Sequence, residues 1–208
     1  MMMPLFQTTA RTRRSAPRIH ELETARLRLR MFTDDDLGEL SRITRDPDVM
    51  RYIGEGHPLT REETGHNLSA IIRGFRRRGF GRWAMVHKAG GRLLGYCGFS
   101  TLSAEEIGVE LAYLLARPYW GMGLASEAAR ACVRYAFEVL GLESLAALTM
   151  PGNARSRQLL EKLGMRHERD CRLHGYDCVQ YRISRADFRP DDSLYLAKPV
   201  LLPPDEEN

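Results

Sequence analysis

The spacing of apolar and polar residues along the chain predicts a series of strands and helices. Between Arg26 and Phe32, three apolar side chains alternate with three arginines, which is the period of a half-buried strand. The same reasoning, together with a tight glycine turn near residue 90, predicts further strands elsewhere. These are Arg82–His87, Arg92–Leu102, Ile107–Leu115, Leu145–Met150 and two more that end near Ser184.

Four helices are predicted between these strands. Thr33 is followed by three aspartates, so it supplies an N-cap and first-turn acids for a helix that should end before Pro47. Thr60 and Glu63 have the spacing of a capping box at the start of the second helix. The remaining two helices, each followed by a glycine that favours termination, are Gly123–Leu140 and Asn153–Leu163.

The order of the elements predicts an α/β (α+β) fold. A strand–helix–strand unit from Ile107 to Met150 should bring two strands side by side in parallel. We therefore expect a mixed β-sheet of about six to seven strands flanked by four helices. The domain is predicted at residues 19–188, after a basic flexible tail at 1–18 and before a C-terminal tail at 189–208.

Length and composition indicate one globular domain. The chain has 208 residues, of which 43% are hydrophobic and 28% charged, enough to form a core without disulfides or metal. It contains neither an apolar run of about eighteen residues nor the apolar stretch of a secretory signal. We therefore expect a cytoplasmic protein with no membrane partner.

The formal net charge of +4 could come from the leading segment alone. Four arginines precede the first acidic residue, namely Arg11, Arg13, Arg14 and Arg18. A nucleic-acid-binding domain usually carries its cationic excess on a folded face, so the distribution argues against a nucleic-acid partner. A short basic arm that touches RNA is kept as an alternative.

The cysteines give no sign of a metal site. They form no CxxC pair and have no histidines at zinc-finger distances, so we expect reduced thiols and no metal. The four positions are Cys97, Cys132, Cys171 and Cys178.

The segment RPYWGMGLASEAA, from Arg117 to Ala129, is the most informative stretch. Its two glycines and small residues stand between a predicted strand and a helix start, where free amide groups and the helix dipole can bind phosphate oxygens. A glycine pair at such a place can also be only a turn. The GxGxxG spacing and the GK(S/T) ending are both absent, so neither a dinucleotide loop nor a nucleoside-triphosphate loop is indicated.

Within this segment, WGMGLASEA resembles the pyrophosphate loop of GNAT acetyltransferases. The family pattern Q/R-x-x-G-x-G/A is met by Gly123 and Ala125, while Trp120 replaces its first residue. That tryptophan is similar to the one in the branch of ribosomal-protein alanine N-acetyltransferases and their small-molecule relatives. Three further segments resemble the family in the same order along the chain: LETARLRLR, VELAYLLARPYW and GNARSRQLLEKLGMR.

The resemblance implies a GNAT-like bent sheet in which the fourth and fifth strands splay apart. Here those strands are Ile107–Leu115 and Leu145–Met150, and the pantetheine arm of acetyl-CoA would lie between them. Backbone hydrogen bonds to that arm are implied for Tyr113, Leu114 and Leu115. The implied pyrophosphate cradle consists of Trp120, Gly121, Met122, Gly123, Leu124, Ala125 and Ser126.

Asn153 and Ser156 match an NxxS pair of the same branch. The resemblance implies that the asparagine meets the pantetheine arm and that the serine lies near the sulfur. Asn153 is equally a good N-cap residue, and the two roles can coexist.

Glu110 is the candidate general base, because an acid interrupts the largely apolar VELAYLL. A carboxylate, directly or through water, can take the proton of a protonated amine before attack. A solvent-facing or ion-paired glutamate is the alternative. Many relatives protonate the thiolate with a helix tyrosine, but the matching residue is Leu160, which leaves Ser156 or water as donor.

These residues predict acetyl transfer from acetyl-CoA to a primary amine in a ternary complex. The acceptor would be a protein N-terminal amine or a small-molecule amine, and a homodimer is kept open. A non-catalytic acyl-CoA binding or sensing protein is the alternative, because Leu160 replaces the expected acid.

Overall fold

The computed structural model describes residues 19–101, 107–173 and 175–200. The predicted basic tail, Leu102 and residues 201–208 lie outside this part of the chain. Within it, nine strands form one sheet in the order β7-β8-β6-β5-β4-β3-β2-β1-β9. The strands are β1 Ile19–Glu23, β2 Leu27–Arg30, β3 Arg82–His87, β4 Leu93–Ser100, β5 Glu110–Leu115, β6 Ser144–Thr149, β7 Arg166–Leu173, β8 Tyr176–Ser184 and β9 Leu196–Val200.

All neighbouring strands in this sheet are antiparallel except β5 and β6, which are parallel. The predicted mixed sheet and its strand–helix–strand unit are therefore confirmed. The expected six to seven strands were too few, because β1 and β9 were not predicted. They pair from Ile19↔Val200 to Glu23↔Leu196, a long-range contact that places part of residues 189–208 in the sheet. Pro199 is compatible with β9 because that strand is at an edge of the described sheet.

Five α-helices are found in the described ranges: α1 Leu37–Thr44, α2 Pro47–Met50, α3 Arg61–Arg78, α4 Leu124–Glu138 and α5 Ala154–Lys162. The four predicted helices correspond to α1, α3, α4 and α5. The additional α2 is one turn, capped by the Asp46 side chain, with Pro47 in its first position. The predicted capping box is confirmed, since the Thr60 hydroxyl accepts from the Glu63 N–H and the Glu63 carboxylate accepts from the Thr60 N–H.

The helices cover both faces of the sheet. One apolar cluster lies against α4 and α5 and includes Leu111 and Leu115 of β5. The other lies against α1, α2 and α3 and includes Leu114. Because side chains alternate along a strand, β5 is a central strand whose two faces meet different layers of the protein.

Candidate active site

The sheet opens between β5 and β6. These strands are in register at one position, Glu110↔Ala146, and the Ala146 N–H also donates to the Val109 carbonyl over 3.1 Å. On their other sides, β5 pairs with β4 and β6 pairs with β8 along their lengths. The predicted splay of these two strands is therefore confirmed.

A cavity of about 1070 Å³ lies where the two strands separate. It is lined by the end of β5, the loop before α4, the first turn of α4, one side of α5, and α2 with its following loop. The charged lining residues are one carboxylate and four cations: Asp48, Arg51, Arg117, Arg155 and Lys162. An ion pair between Arg117 and Asp48, 2.5 Å long, uses the carboxylate. The remaining positive charge suits an anionic ligand.

The glycine loop ends in unpaired amide groups at the start of α4. Gly121 and Gly123 have φ of 79° and 76°, a left-handed backbone that glycine adopts without strain. The first hydrogen bond of the helix runs from the Glu127 N–H to the Gly123 carbonyl. The N–H groups of the three residues between them therefore have no partner within the helix. Such a helix start is suited to bind phosphate oxygens.

Trp120, the residue that departs from the loop pattern, holds three walls of the cavity together. Its indole Nε1 donates to the Leu115 carbonyl over 2.7 Å, which ties the loop to the end of β5. The Arg155 guanidinium of α5 lies over the indole ring, 5.2 Å from the centroid. The resemblance implied only that Trp120 is part of the pyrophosphate cradle. In the structure its side chain also joins the loop to β5 and α5.

A clamp formed by Thr24, Arg26 and Glu127 fixes the loop from the side of β2. The Glu127 carboxylate accepts from the Thr24 hydroxyl over 2.6 Å and from the Arg26 N–H and Nε over 2.8 and 2.7 Å. Arg26 also donates to the carbonyl of Met122 inside the loop, over 2.9 Å. The clamp could not be predicted from spacing along the sequence, because Arg26 and Glu127 are 101 positions apart.

The clamp also balances the negative charge of Glu127, which lies near the proposed anion site. Burial would raise the pKa of Glu127, but hydrogen bonds from Thr24 and Arg26 outweigh it, so that the pKa is lowered and the group is ionised. A free carboxylate in the first turn of α4 would repel a phosphate. Bound to Arg26, it positions the loop with less repulsion of an anion.

Tyr113, Asn153 and Ser156 meet inside the cavity. The Asn153 side chain accepts from the Ser156 N–H over 3.2 Å, so its capping role is observed. The hydroxyls of Tyr113 and Ser156 are 2.8 Å apart. Burial raises the pKa of Tyr113 to about 12, although its hydrogen bond with Ser156 acts in the opposite direction. The phenol therefore keeps its proton at neutral pH.

Glu110 lies at the point where β5 and β6 part, but it is not among the residues that line the cavity. By alternation along β5, its side chain shares a face with Leu114, opposite to that of Tyr113. Within the described ranges its carboxylate has no hydrogen-bond or ion-pair partner. The structure thus brings Tyr113 and Ser156 together and leaves Glu110 on the other face of the strand.

Leu160 does not contribute chemistry to the cavity. Its side chain is 1% exposed and packs in the core beneath α5. The position that holds a tyrosine acid in many relatives is therefore an apolar core position in this chain.

The described ranges contain no helix that is both long and apolar enough to cross a membrane. In the same ranges, no group of three or more histidine, cysteine or carboxylate side chains could hold a metal ion. The four cysteines are free thiols, and those of Cys97 and Cys132 lie 3.6 Å apart in the core.

A mixed sheet that opens between two parallel strands, with a glycine loop and a helix start at the opening, defines the GNAT fold of acyltransferases. A family model described as "Acetyltransferase (GNAT) domain" matches residues 26–166. The chain belongs to this family of acetyltransferases.

Individual proteins agree with this assignment. The chain is 37% identical over 156 residues to the protein YkkB of Bacillus subtilis (strain 168), covering 73% of this chain and 88% of that one. An acetyltransferase of the GNAT family from Bacillus anthracis has a TM-score of 0.69 at 29% identity, covering 80% of this chain and 99% of that one.

The branch suggested by the loop is also represented among solved structures. A ribosomal-protein-S5-alanine acetyltransferase from Vibrio fischeri has a TM-score of 0.67 at 16% identity. The match covers 82% of this chain and 99% of that one. At this identity the likeness is one of fold.

Proposed function

We propose that this protein transfers an acetyl group from acetyl-CoA to a primary amine, by direct attack on the thioester in a ternary complex. The acceptor is a protein N-terminal amine or a small-molecule amine. The observation that carries this proposal is the gap between β5 and β6, which leads to unpaired amides at the start of α4 under a net positive lining. The name of the Vibrio fischeri protein gives a protein alanine as acceptor, which is one of the two acceptor types.

The chain offers suitable groups for each part of the cosubstrate. The backbone of Tyr113, Leu114 and Leu115 has no strand partner on the β6 side beyond the single pair at Glu110, so it can hydrogen-bond the amides of pantetheine. The amides from Trp120 to Ser126 bind the pyrophosphate. Asn153 caps α5 through its oxygen and can donate its amide N–H to the pantetheine arm.

The amine and the departing sulfur lie on opposite faces of β5. Glu110 takes the proton of the incoming amine, which approaches from the α1–α3 side, and its lack of a described partner leaves the carboxylate able to accept that proton. Backbone N–H groups of the open strand edge polarise the thioester carbonyl. The departing sulfur lies on the side of Tyr113 and Ser156.

The test combines binding and turnover with the full-length chain. Calorimetry with coenzyme A and acetyl-CoA measures affinity, and release of free thiol in the presence of an amine and peptide panel measures turnover. Mass spectrometry of the pool identifies the acetylated acceptor. The proposal predicts micromolar to millimolar binding and amine-dependent thiol release.

Binding without turnover across the panel would instead support the sensor function that the buried Leu160 favours. Absence of any affinity for coenzyme A or its acetyl form would reject both functions.

Replacing Arg26 by alanine tests whether the clamp positions the pyrophosphate loop. We expect the KM for acetyl-CoA to rise roughly tenfold, because the guanidinium bonds to Glu127 and to the Met122 carbonyl are lost and Glu127 keeps no cation beside it. The kcat should change little. With S-acetyl-N-acetylcysteamine, a thioester that lacks the pyrophosphate, Arg26→Ala and the unaltered protein should have similar kcat/KM.

Arg28→Ala is the matched control for this variant, since Arg28 lies on β2, two residues after Arg26, but pairs with Glu21 at the surface. An equal loss of kcat/KM with both thioesters would show that Arg26 supports the fold rather than the loop.

A further inference from the structure

Two hydroxyls stand in series on one wall of the cavity. The Tyr113 and Ser156 oxygens are 2.8 Å apart, and the tyrosine hydroxyl also lies 3.4 Å from the Ser156 carbonyl. Within the described ranges the Ser156 hydroxyl has no other hydrogen-bond partner. A phenol is a stronger donor than an aliphatic hydroxyl, so the favoured arrangement has Tyr113 donating to the Ser156 oxygen and leaves the Ser156 proton directed elsewhere.

The family resemblance already implies that Ser156 lies near the departing sulfur and can donate to it; we propose that Tyr113 is the positioning residue that directs the serine proton toward that sulfur. The proposal rests on the acetyl transfer proposed above and assigns a role to the Tyr113 side chain. It also gives a reason why Leu160 can lie in the core, because stabilisation of the leaving group is supplied from β5 and the first turn of α5.

The pair stabilises charge and does not transfer a proton. As the nitrogen–carbon bond forms, the carbon–sulfur bond breaks and its electron pair remains on sulfur, while the amine protons go to Glu110 and water. An alkyl thiol is a stronger acid than either hydroxyl, and burial has made Tyr113 a still weaker acid than a free phenol. The thiolate therefore leaves with a hydrogen bond from Ser156 and takes its proton from solvent after release.

An equilibrium measurement tests the contact without turnover. At an alkaline pH above the pKa of the coenzyme A thiol, where most of the free thiol is ionised, we compare by calorimetry the affinities for coenzyme A and for S-methyl-coenzyme A, which has no thiolate. The preference for coenzyme A should fall by roughly tenfold in Ser156→Ala and by a smaller factor in Tyr113→Phe. Cys97 on β4 and Arg155 and Arg157 on α5 are unchanged in both variants, so their influence on the thiolate cancels.

Steady-state kinetics test whether Tyr113 acts on the leaving group through Ser156. We expect Ser156→Ala to lower kcat by about ten- to a hundredfold and Tyr113→Phe by about tenfold, with KM for acetyl-CoA nearly constant. The double variant should be no slower than Ser156→Ala, because the tyrosine acts through the serine. Ser156→Thr, which keeps the hydroxyl, should recover most of the loss. Tyr195→Phe is the control, because it removes a buried phenol oxygen that has no hydrogen-bond partner within the described ranges and does not line the cavity.

Different results would overturn the acetyl transfer and the positioning role of Tyr113. If the unaltered protein neither binds acetyl-CoA nor turns over, the proposed function is wrong. If it turns over while Tyr113→Phe keeps both the full kcat and the full preference for coenzyme A over its S-methyl analogue, the positioning role is wrong and the acetyl transfer stands. Additive losses in the double variant would likewise overturn the series arrangement.

Discussion

Replacing Glu110 by glutamine is expected to lower kcat by about 10²–10⁴-fold while leaving the affinity for coenzyme A nearly unchanged. Glutamine has almost the same shape as glutamate but cannot accept a proton from an ammonium group. Glu110 is not among the residues that line the cavity of the proposed cosubstrate, so its substitution should spare binding. Single-turnover measurement of thiol release, together with calorimetry, separates the two quantities.

The matched control is Glu143→Gln, which removes a charge from an exposed glutamate just before β6 that pairs loosely with Arg185 over 3.6 Å. It should leave kcat within about twofold, as surface substitutions usually do. If Glu110→Gln were as active as this control, the proton would have to leave by another route and Glu110 would be excluded as the base. A parallel loss of coenzyme A affinity would indicate a structural role for the carboxylate instead.

Local patterns predicted the helices and most of the strands because local interactions determine them. The Thr60–Glu63 capping box needs four consecutive residues, and the glycine loop needs two left-handed positions before a helix. The splay between β5 and β6 came from the family resemblance. The single register pair at Glu110 supports it independently.

Three of the missed features depend on contacts between distant parts of the chain. Strand β9 is five residues long and becomes part of the sheet by pairing with β1, which is itself held by β2. The loop clamp joins positions 101 apart, and the hydroxyls of Tyr113 and Ser156 come from positions 43 apart. Spacing rules describe neighbours along one element, so they could find Ser156 on its helix but not the phenol that contacts it.

The face on which Glu110 lies could be inferred only in part. The interruption of an apolar run showed that the residue was unusual, but it did not show which layer it faced. In the structure, alternation along β5 places Glu110 with Leu114 and places Tyr113 with Leu111 and Leu115. Positions 110 and 113 are an odd number of residues apart on β5, so their side chains lie on opposite faces of the strand. Glu110 is therefore on one face, and Tyr113, which contacts Ser156 of α5, is on the other.

Substituting alanine for Gly95 is expected to reduce both stability and coenzyme A binding. Gly95 has a φ of 143° and lies on β4 beside the irregularity in its pairing with β3. A Cβ there would overlap with the Leu114 carbonyl oxygen and stand 3.2 Å from the Leu115 Cα. Strain and overpacking together should cost roughly 2–5 kcal/mol, which corresponds to a fall in Tm of about 10 °C in a chain of this length.

The backbone that must move to relieve this overlap is the part of β5 that lines the cavity. Gly95→Ala should therefore weaken binding of coenzyme A in the fraction that remains folded at 20 °C, where calorimetry can measure it. Gly90→Ala is the control, because a Cβ at Gly90 meets no atom within 4 Å. If both variants melted at the same temperature, β4 and β5 would have to separate easily at this point. The strand edge would then be too pliable to hold pantetheine by its backbone.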